Sequence, residues 1–200
     1  MPMVDNETLF TREEYARRRD TGAFVLVPTL LGTTNDKGDS VVRWDWNGIN
    51  KTASDFITQN VFECNIALES RVRALNKVPL WRYLYKGVFP EVTLYPWIRA
   101  YHGAADVPLL MGTYNLLASN RTIASDTTTE EASKFLQDFF GAFIRNPACG
   151  LWDKYRLSEF RPNTATLIEF FPENKPTLAQ VMQKENAACL HLASIMWEQS

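Results

Sequence analysis

Hydrophobic and polar positions alternate with changing period along the chain, and the changes mark out the elements. Thr11-Arg-Glu-Glu14 has the capping-box pattern and Gly22 is a stop signal, which predicts a short polar helix between them. The apolar run from Phe24 to Leu31, rich in Val, predicts a short buried strand, with Pro28 near its start or splitting it. Gly32 to Asp39 reads as a polar loop made of turn-forming residues. From about Ala53 to Asn76 the chain has neither Gly nor Pro, and Phe62, Ile66, Leu68, Val72 and Leu75 recur near helical spacing, predicting one or two helices.

Val78 to Tyr85 reads as a strand rich in aromatic residues. Gly87 to Pro108 carries Gly87, Pro90, Pro96 and Gly103 among aromatics and reads as a long ordered loop, the kind that often carries function. Thr127-Thr-Thr-Glu-Glu131 opens a strongly amphipathic helix to about Arg145, with Ala132, Phe135, Leu136, Phe139, Phe140 and Phe143 on its apolar face. A late strand at Thr164 to Phe171 and a C-terminal helix from Thr177 to about Trp197 complete the prediction. Strands alternating with helices imply an α/β fold: a few strands of a mostly parallel sheet, flanked by helices. In such sheets functional groups gather at the carboxyl ends of strands. The loops at 32–40 and 99–106 both follow strands in that sense.

Composition narrows the function without naming it. The 200 residues are 46% hydrophobic and 22% charged, ordinary for a globular core. Basic and acidic residues number 13 and 12 in residues 1–100, and 8 and 11 in residues 101–200. No basic face is demanded, so nucleic acid is not an expected partner. No apolar run reaches the ~18 residues of a membrane span. The first ten residues lack the basic and apolar regions of a signal peptide. Cys64, Cys149 and Cys189 lack metal-site spacing. One disulfide with one free thiol and a fully reduced chain both remain open. No cofactor is expected, since G-x-G-x-x-G, the P-loop and H-E-x-x-H are all absent.

Candidate chemistry is sparse. Of the two histidines, His191 falls in the predicted C-terminal helix and reads as structural or exposed. His102, in Ala100-Tyr-His-Gly-Ala-Ala-Asp106, sits in the long loop after a strand and is the better candidate for a working imidazole. Asp106 reads as a helix cap. Asp36, Lys37 and Asp39 follow the first strand and taken alone read as a solvated turn. The aromatics Trp81, Tyr83, Tyr85, Phe89, Tyr95, Trp97 and Tyr101 read as core and packed loop rather than a stacking platform. The nucleophile turn G-x-S-x-G is absent.

Taken together, these segments resemble type-B carboxylesterases, the family of cholinesterases and fungal lipases. Leu30-Leu-Gly-Thr-Thr-Asn-Asp-Lys-Gly38 is similar to the family's loop carrying the acid, Pro79 to Tyr85 to the strand that follows, and Ala100 to Gly112 to the segment with the triad histidine. Phe135 to Asn146, followed by Pro147, resembles a later family helix, and Val4 to Phe10 with Phe62 to Ala67 resembles the fungal branch. The resemblance implies the C-terminal portion of an α/β-hydrolase fold, residues 1–200 being a partial domain. It implies cleavage of small-molecule or lipid esters by a Ser–acid–His triad, with His102 as the general base. The serine elbow and glycine-rich oxyanion loop belong to upstream parts of the family pattern, so the isolated chain is expected to be inactive. The family's acid position is Lys37, and Asp36 is the substitute acid. A non-catalytic cholinesterase-like binding protein, or a decayed copy, is the alternative. Extracellular location follows from the family alone, and a Cys64–Cys189 disulfide is conceivable.

Overall fold

The computed structural model describes residues 4–89, 92, 106–118, 127–182 and 189. Helix α1 spans Arg12–Thr21. The Thr11 hydroxyl accepts from the Glu14 N–H at 3.2 Å, and Gly22 ends the helix with φ 69°. Glu14 also pairs with Arg17 and Arg18. The capping pattern had predicted this element.

Strand β1 spans Thr29–Thr34, later than the expected 24–31. Pro28 explains the shift. It has no N–H to donate, and the ladder starts at the next residue, where Thr29 N–H donates to the Pro79 carbonyl at 2.9 Å. Val25, Leu26 and Val27 lie exposed before it. Gly32-Thr33-Thr34, expected as loop, instead completes the strand. Gly32 is there because the Tyr83 ring lies against its backbone, where any Cβ would collide.

A turn of 3₁₀ helix, Lys37–Ser40, follows, then a small hairpin of β2 (Trp44–Asp45) and β3 (Gly48–Ile49). Helix α2 (Lys51–Ile57) is capped by the Asn50 side chain, which accepts from Ala53 N–H at 3.0 Å. It widens into a π turn at Thr58–Glu63 and resumes as α3 (Cys64–Leu75). Strand β4 is Leu80–Tyr85. Beyond it lie α4 (Asp106–Leu110), α5 (Tyr114–Ala118), α6 (Thr127–Arg145), α7 (Gly150–Tyr155), β5 (Thr166–Phe170) and β6 (Leu178–Met182).

The main sheet has the order β1-β4-β5-β6. The first three strands are parallel and β6 is antiparallel to β5. Strand β6 corrects the expected helix at 177–197. Leu, Ala, Gln and Met are good helix formers, but Phe171, Glu173 and Asn174 all take left-handed conformations and turn the chain back onto the edge of β5. Pairing there overrides propensity. Apart from Cys189, which is helical, the remainder of that expected helix, His191 included, lies outside the described residues.

The core fills the space between this sheet and α6. Trp81, Tyr85, Leu109, Leu136, Phe139, Phe170 and Phe171 are all buried in one cluster. Ala132, Leu136 and Phe139 are the helix's contribution, spaced four and three apart on one face. Phe139 meets Phe170 edge-to-face with ring centres 4.7 Å apart. Each such side chain stabilises by about 1.5–3 kcal/mol through burial, and each ring pair by about 0.5–1.5 kcal/mol more. Trp81, Tyr85 and Phe89 are therefore core, as their pattern implied. Tyr95, Trp97 and Tyr101 lie outside the described residues.

Candidate functional site

The carboxyl ends of β1 and β4 are tied together where the Asn35 N–H donates to the Tyr85 carbonyl at 2.9 Å. The turn after β1 is then seated on the helix behind it. Gly38 N–H donates to the Thr58 hydroxyl at 2.8 Å, and a Cβ on Gly38 would collide with the Ser54 carbonyl. This close approach is why the sequence needs glycine here.

The turn sends its two neighbouring charges to different places. Asp36 faces a polar cleft of about 730 Å³ bordered by Lys51, Lys86 and Glu169. Its carboxylate is 2.7 Å from the Lys51 ammonium, and the Asn35 side-chain amide donates to its other oxygen at 3.1 Å. Lys51 also stands 3.2 Å from buried Asp39 and 2.9 Å from Asp55. The Ser54 hydroxyl donates to Asp39 at 2.5 Å. Burial works against the Lys51 charge, but hydrogen bonds to Asp36, Asp55 and Asp39 outweigh it and raise its pKa. The solvated turn expected at 35–39 is instead largely buried, with Asp36 and Asp39 shielded from water.

Lys37 enters a different space. It lines a cavity of about 280 Å³ together with Tyr83, Tyr85, Asp106, Phe140 and Phe170. Its ammonium stands 5.6 Å from the centre of the Phe62 ring. Burial pulls its pKa below the usual lysine range, with the charge of Asp106, which lines the same cavity, opposing. Burial pushes the Tyr83 phenol up to about 12 and the Tyr85 phenol well above the usual range, the Asp106 charge adding to both. Asp106 begins α4 and accepts from the Val107 N–H at 3.0 Å, the helix-start role expected of it.

Of the sequence candidates, the structure thus gathers Lys37 and Asp106 at one cavity and puts Asp36 in the cleft with Lys51. His102 lies outside the described residues, four positions before Asp106. Sequence reading missed Lys51. Its pairing with Asp55 four residues on is visible in the helix pattern, but its contacts to Asp36 and Asp39 arise only when the hairpin folds back. Among the described residues, no group of three or more His, Cys, Asp or Glu could hold a metal ion. No helix among them is long and apolar enough to cross a membrane. Cys64 and Cys189 form a disulfide, and Cys149 is an exposed thiol.

No family model matches the sequence. Individual proteins do. A "Secreted lipase 5" of Gibberella zeae is 29% identical over 188 residues, covering 86% of this chain and 33% of the lipase. A "Chlorogenic acid esterase" of Aspergillus niger is 33% identical over 113 residues, covering 56% of this chain and 22% of the esterase. The chain therefore spans a third or less of the length of these relatives. Among solved structures, a thermophilic PNB esterase superposes with a TM-score of 0.70 at 14% identity, covering 95% of this chain and 43% of that one. A further PNB esterase gives 0.64 at 16%, covering 86% and 39%. These structures establish the α/β-hydrolase fold. By fold and by its fungal relatives this chain is similar to part of the type-B carboxylesterases and lipases.

Proposed function

We propose that residues 1–200 are the C-terminal, partial domain of a serine carboxylic ester hydrolase, and that alone they do not hydrolyse esters. The observation that carries this reading is the ordered match to a fungal secreted lipase over 86% of the chain but only 33% of the lipase. The sheet supports it. Among the described residues β1 stands at the end of the sheet with β4 as its neighbour, and an end strand in a parallel sheet is where further strands of a larger domain would pair.

In the complete enzyme, His102 is the general base: neutral imidazole takes the serine proton and then protonates the leaving alcohol, while a carboxylate behind it stabilises the imidazolium. Lys37 at the family's acid position opposes that charge. Asp36 is the substitute acid in this reading, and it would have to exchange Lys51 for imidazole. The substrate class is a small-molecule or lipid ester. A disulfide between Cys64 and Cys189 supports an oxidising, extracellular compartment.

The test is a fluorophosphonate probe applied to the purified chain. No stoichiometric labelling at a serine is expected, and such labelling would overturn the proposal. Lys37 favours a second reading, a non-catalytic cholinesterase-like binding protein. A cooperative melt of a monomeric sample supports that reading, whereas a molten or aggregating sample supports the partial domain.

A further inference from the structure

We propose that Asn50 is an acceptor site for an N-linked glycan. The inference uses the oxidising, extracellular compartment that the Cys64–Cys189 disulfide supports, and it does not depend on ester hydrolysis.

Three stretches of the sequence have the acceptor pattern Asn-x-Thr with x other than Pro: Asn6-Glu-Thr8, Asn50-Lys-Thr52 and Asn120-Arg-Thr122. The pattern recurs by chance, so the surroundings decide. Asn120 lies outside the described residues. A usable acceptor needs an amide nitrogen not tied elsewhere, a hydroxyl two residues on, and open space for a bulky polar group.

Asn50 meets all three needs. It is exposed at the start of α2, and so is Thr52. Its Oδ1 accepts from the Ala53 N–H and caps the helix, while its Nδ2 has no hydrogen-bond partner among the described residues. The sugar attaches to the nitrogen, so the cap survives: capping and glycosylation use different atoms of one side chain. Asn6 is exposed too, but its hydroxyl is engaged. Thr8 Oγ1 donates to the Asp5 carboxylate, which also accepts from the Glu7, Thr8 and Leu9 N–H groups.

The neighbourhood adds a second reason. Asn50 directly follows Ile49, the register partner of Trp44 in the β2–β3 hairpin. That hairpin leaves Trp46 84% and Trp44 47% exposed. A glycan rooted at its foot sets polar bulk beside an apolar part of the surface. In the transfer, Asn50 Nδ2 bonds to the anomeric carbon of a lipid-diphosphate-linked oligosaccharide and gives up one proton. The carbon–oxygen bond to the diphosphate breaks, and the lipid diphosphate leaves with the bonding electrons and that proton.

The experiment secretes the 200-residue chain from a yeast behind a cleavable leader. Peptide-N-glycosidase in heavy-oxygen water then converts each glycan-bearing Asn to labelled Asp, which peptide mapping locates. Label at Asn50 is expected in most molecules. Thr52→Ala should abolish it and Thr52→Ser should retain it. Material held in the endoplasmic reticulum is mapped in the same way, so poor export of a variant does not void the result. Unlabelled Asn50 in the parent, label at Asn6 alone, or label at Asn50 in Thr52→Ala would each overturn the proposal. Fluorophosphonate labelling has no bearing on any of these outcomes, so the two proposals fail separately.

Discussion

The ammonium of Lys51 lies 2.7 Å from a carboxylate oxygen of Asp36, and the two are unequally hidden: the lysine side chain is 40% exposed and the aspartate 6%. Removing the lysine therefore does more harm than its own exposure implies, because Asp36 and fully buried Asp39 both lose an ammonium partner at once. Lys51→Met is expected to cost about 2–3 kcal/mol, below the ~3–5 kcal/mol of a fully buried pair because the cation is partly in water. Urea unfolding should show the loss. Lys51 has a raised pKa when folded, so its contribution is present at all pH values below its ordinary 10.5 and is lost as pH rises through the folded value.

Lys37 behaves oppositely. Its folded pKa is depressed below 10.5, so the folded state is penalised for carrying the charge at neutral pH. Between the folded value and 10.5 the unfolded chain binds the extra proton, and stability rises with pH across that window. Lys37→Met should raise the melting midpoint at pH 7 by on the order of 2 °C. The gap between variant and parent should narrow as pH approaches 10.5. A variant less stable than the parent at pH 7 would mean that the ammonium is better satisfied than its surroundings indicate.

Gly38→Ala should be disproportionately harmful for a single methyl group. The added carbon meets backbone, the Ser54 carbonyl, which cannot swing aside as a side chain can. A cost of about 1–3 kcal/mol is expected, with loss of the Gly38–Thr58 hydrogen bond. Gly48→Ala is the control for crowding: nothing lies within 4 Å of its Cβ position, so only its φ of 128° resists substitution.

Thiol counting tests the disulfide. One of the three cysteines, Cys149, should alkylate in the unfolded, unreduced chain, and all three after reduction. Replacing Cys64 and Cys189 by alanine should cost about 2–4 kcal/mol. Three reactive thiols without reductant would remove the bridge.

Local signals were the legible ones. The Thr11 cap, the Gly22 stop, the Phe-rich face of α6 and the aromatic strand β4 are all decided within a few residues, and periodicity finds such features. Strand β1 was displaced because a run of Val and Leu outweighed Pro28, whose missing N–H sets the true start of pairing. Strand β6 was misread because its residues favour helix and its reason for being a strand is the edge of β5. Lys51 was invisible for the same reason: its two buried partners are twelve and fifteen residues away and meet it only after a hairpin. The polar turn after β1 was legible, but its division into a polar cleft behind Asp36 and an apolar cavity before Lys37 depends on which way adjacent side chains point.

The Cys64–Cys189 bond also makes a ring. It joins residues 125 apart in the chain, and the enclosed stretch contains β4, α6, β5, β6 and the segment carrying His102. A protease that cuts once within that stretch opens the ring but releases no piece. The nicked product keeps its mass, apart from one added water, until a reductant separates the halves.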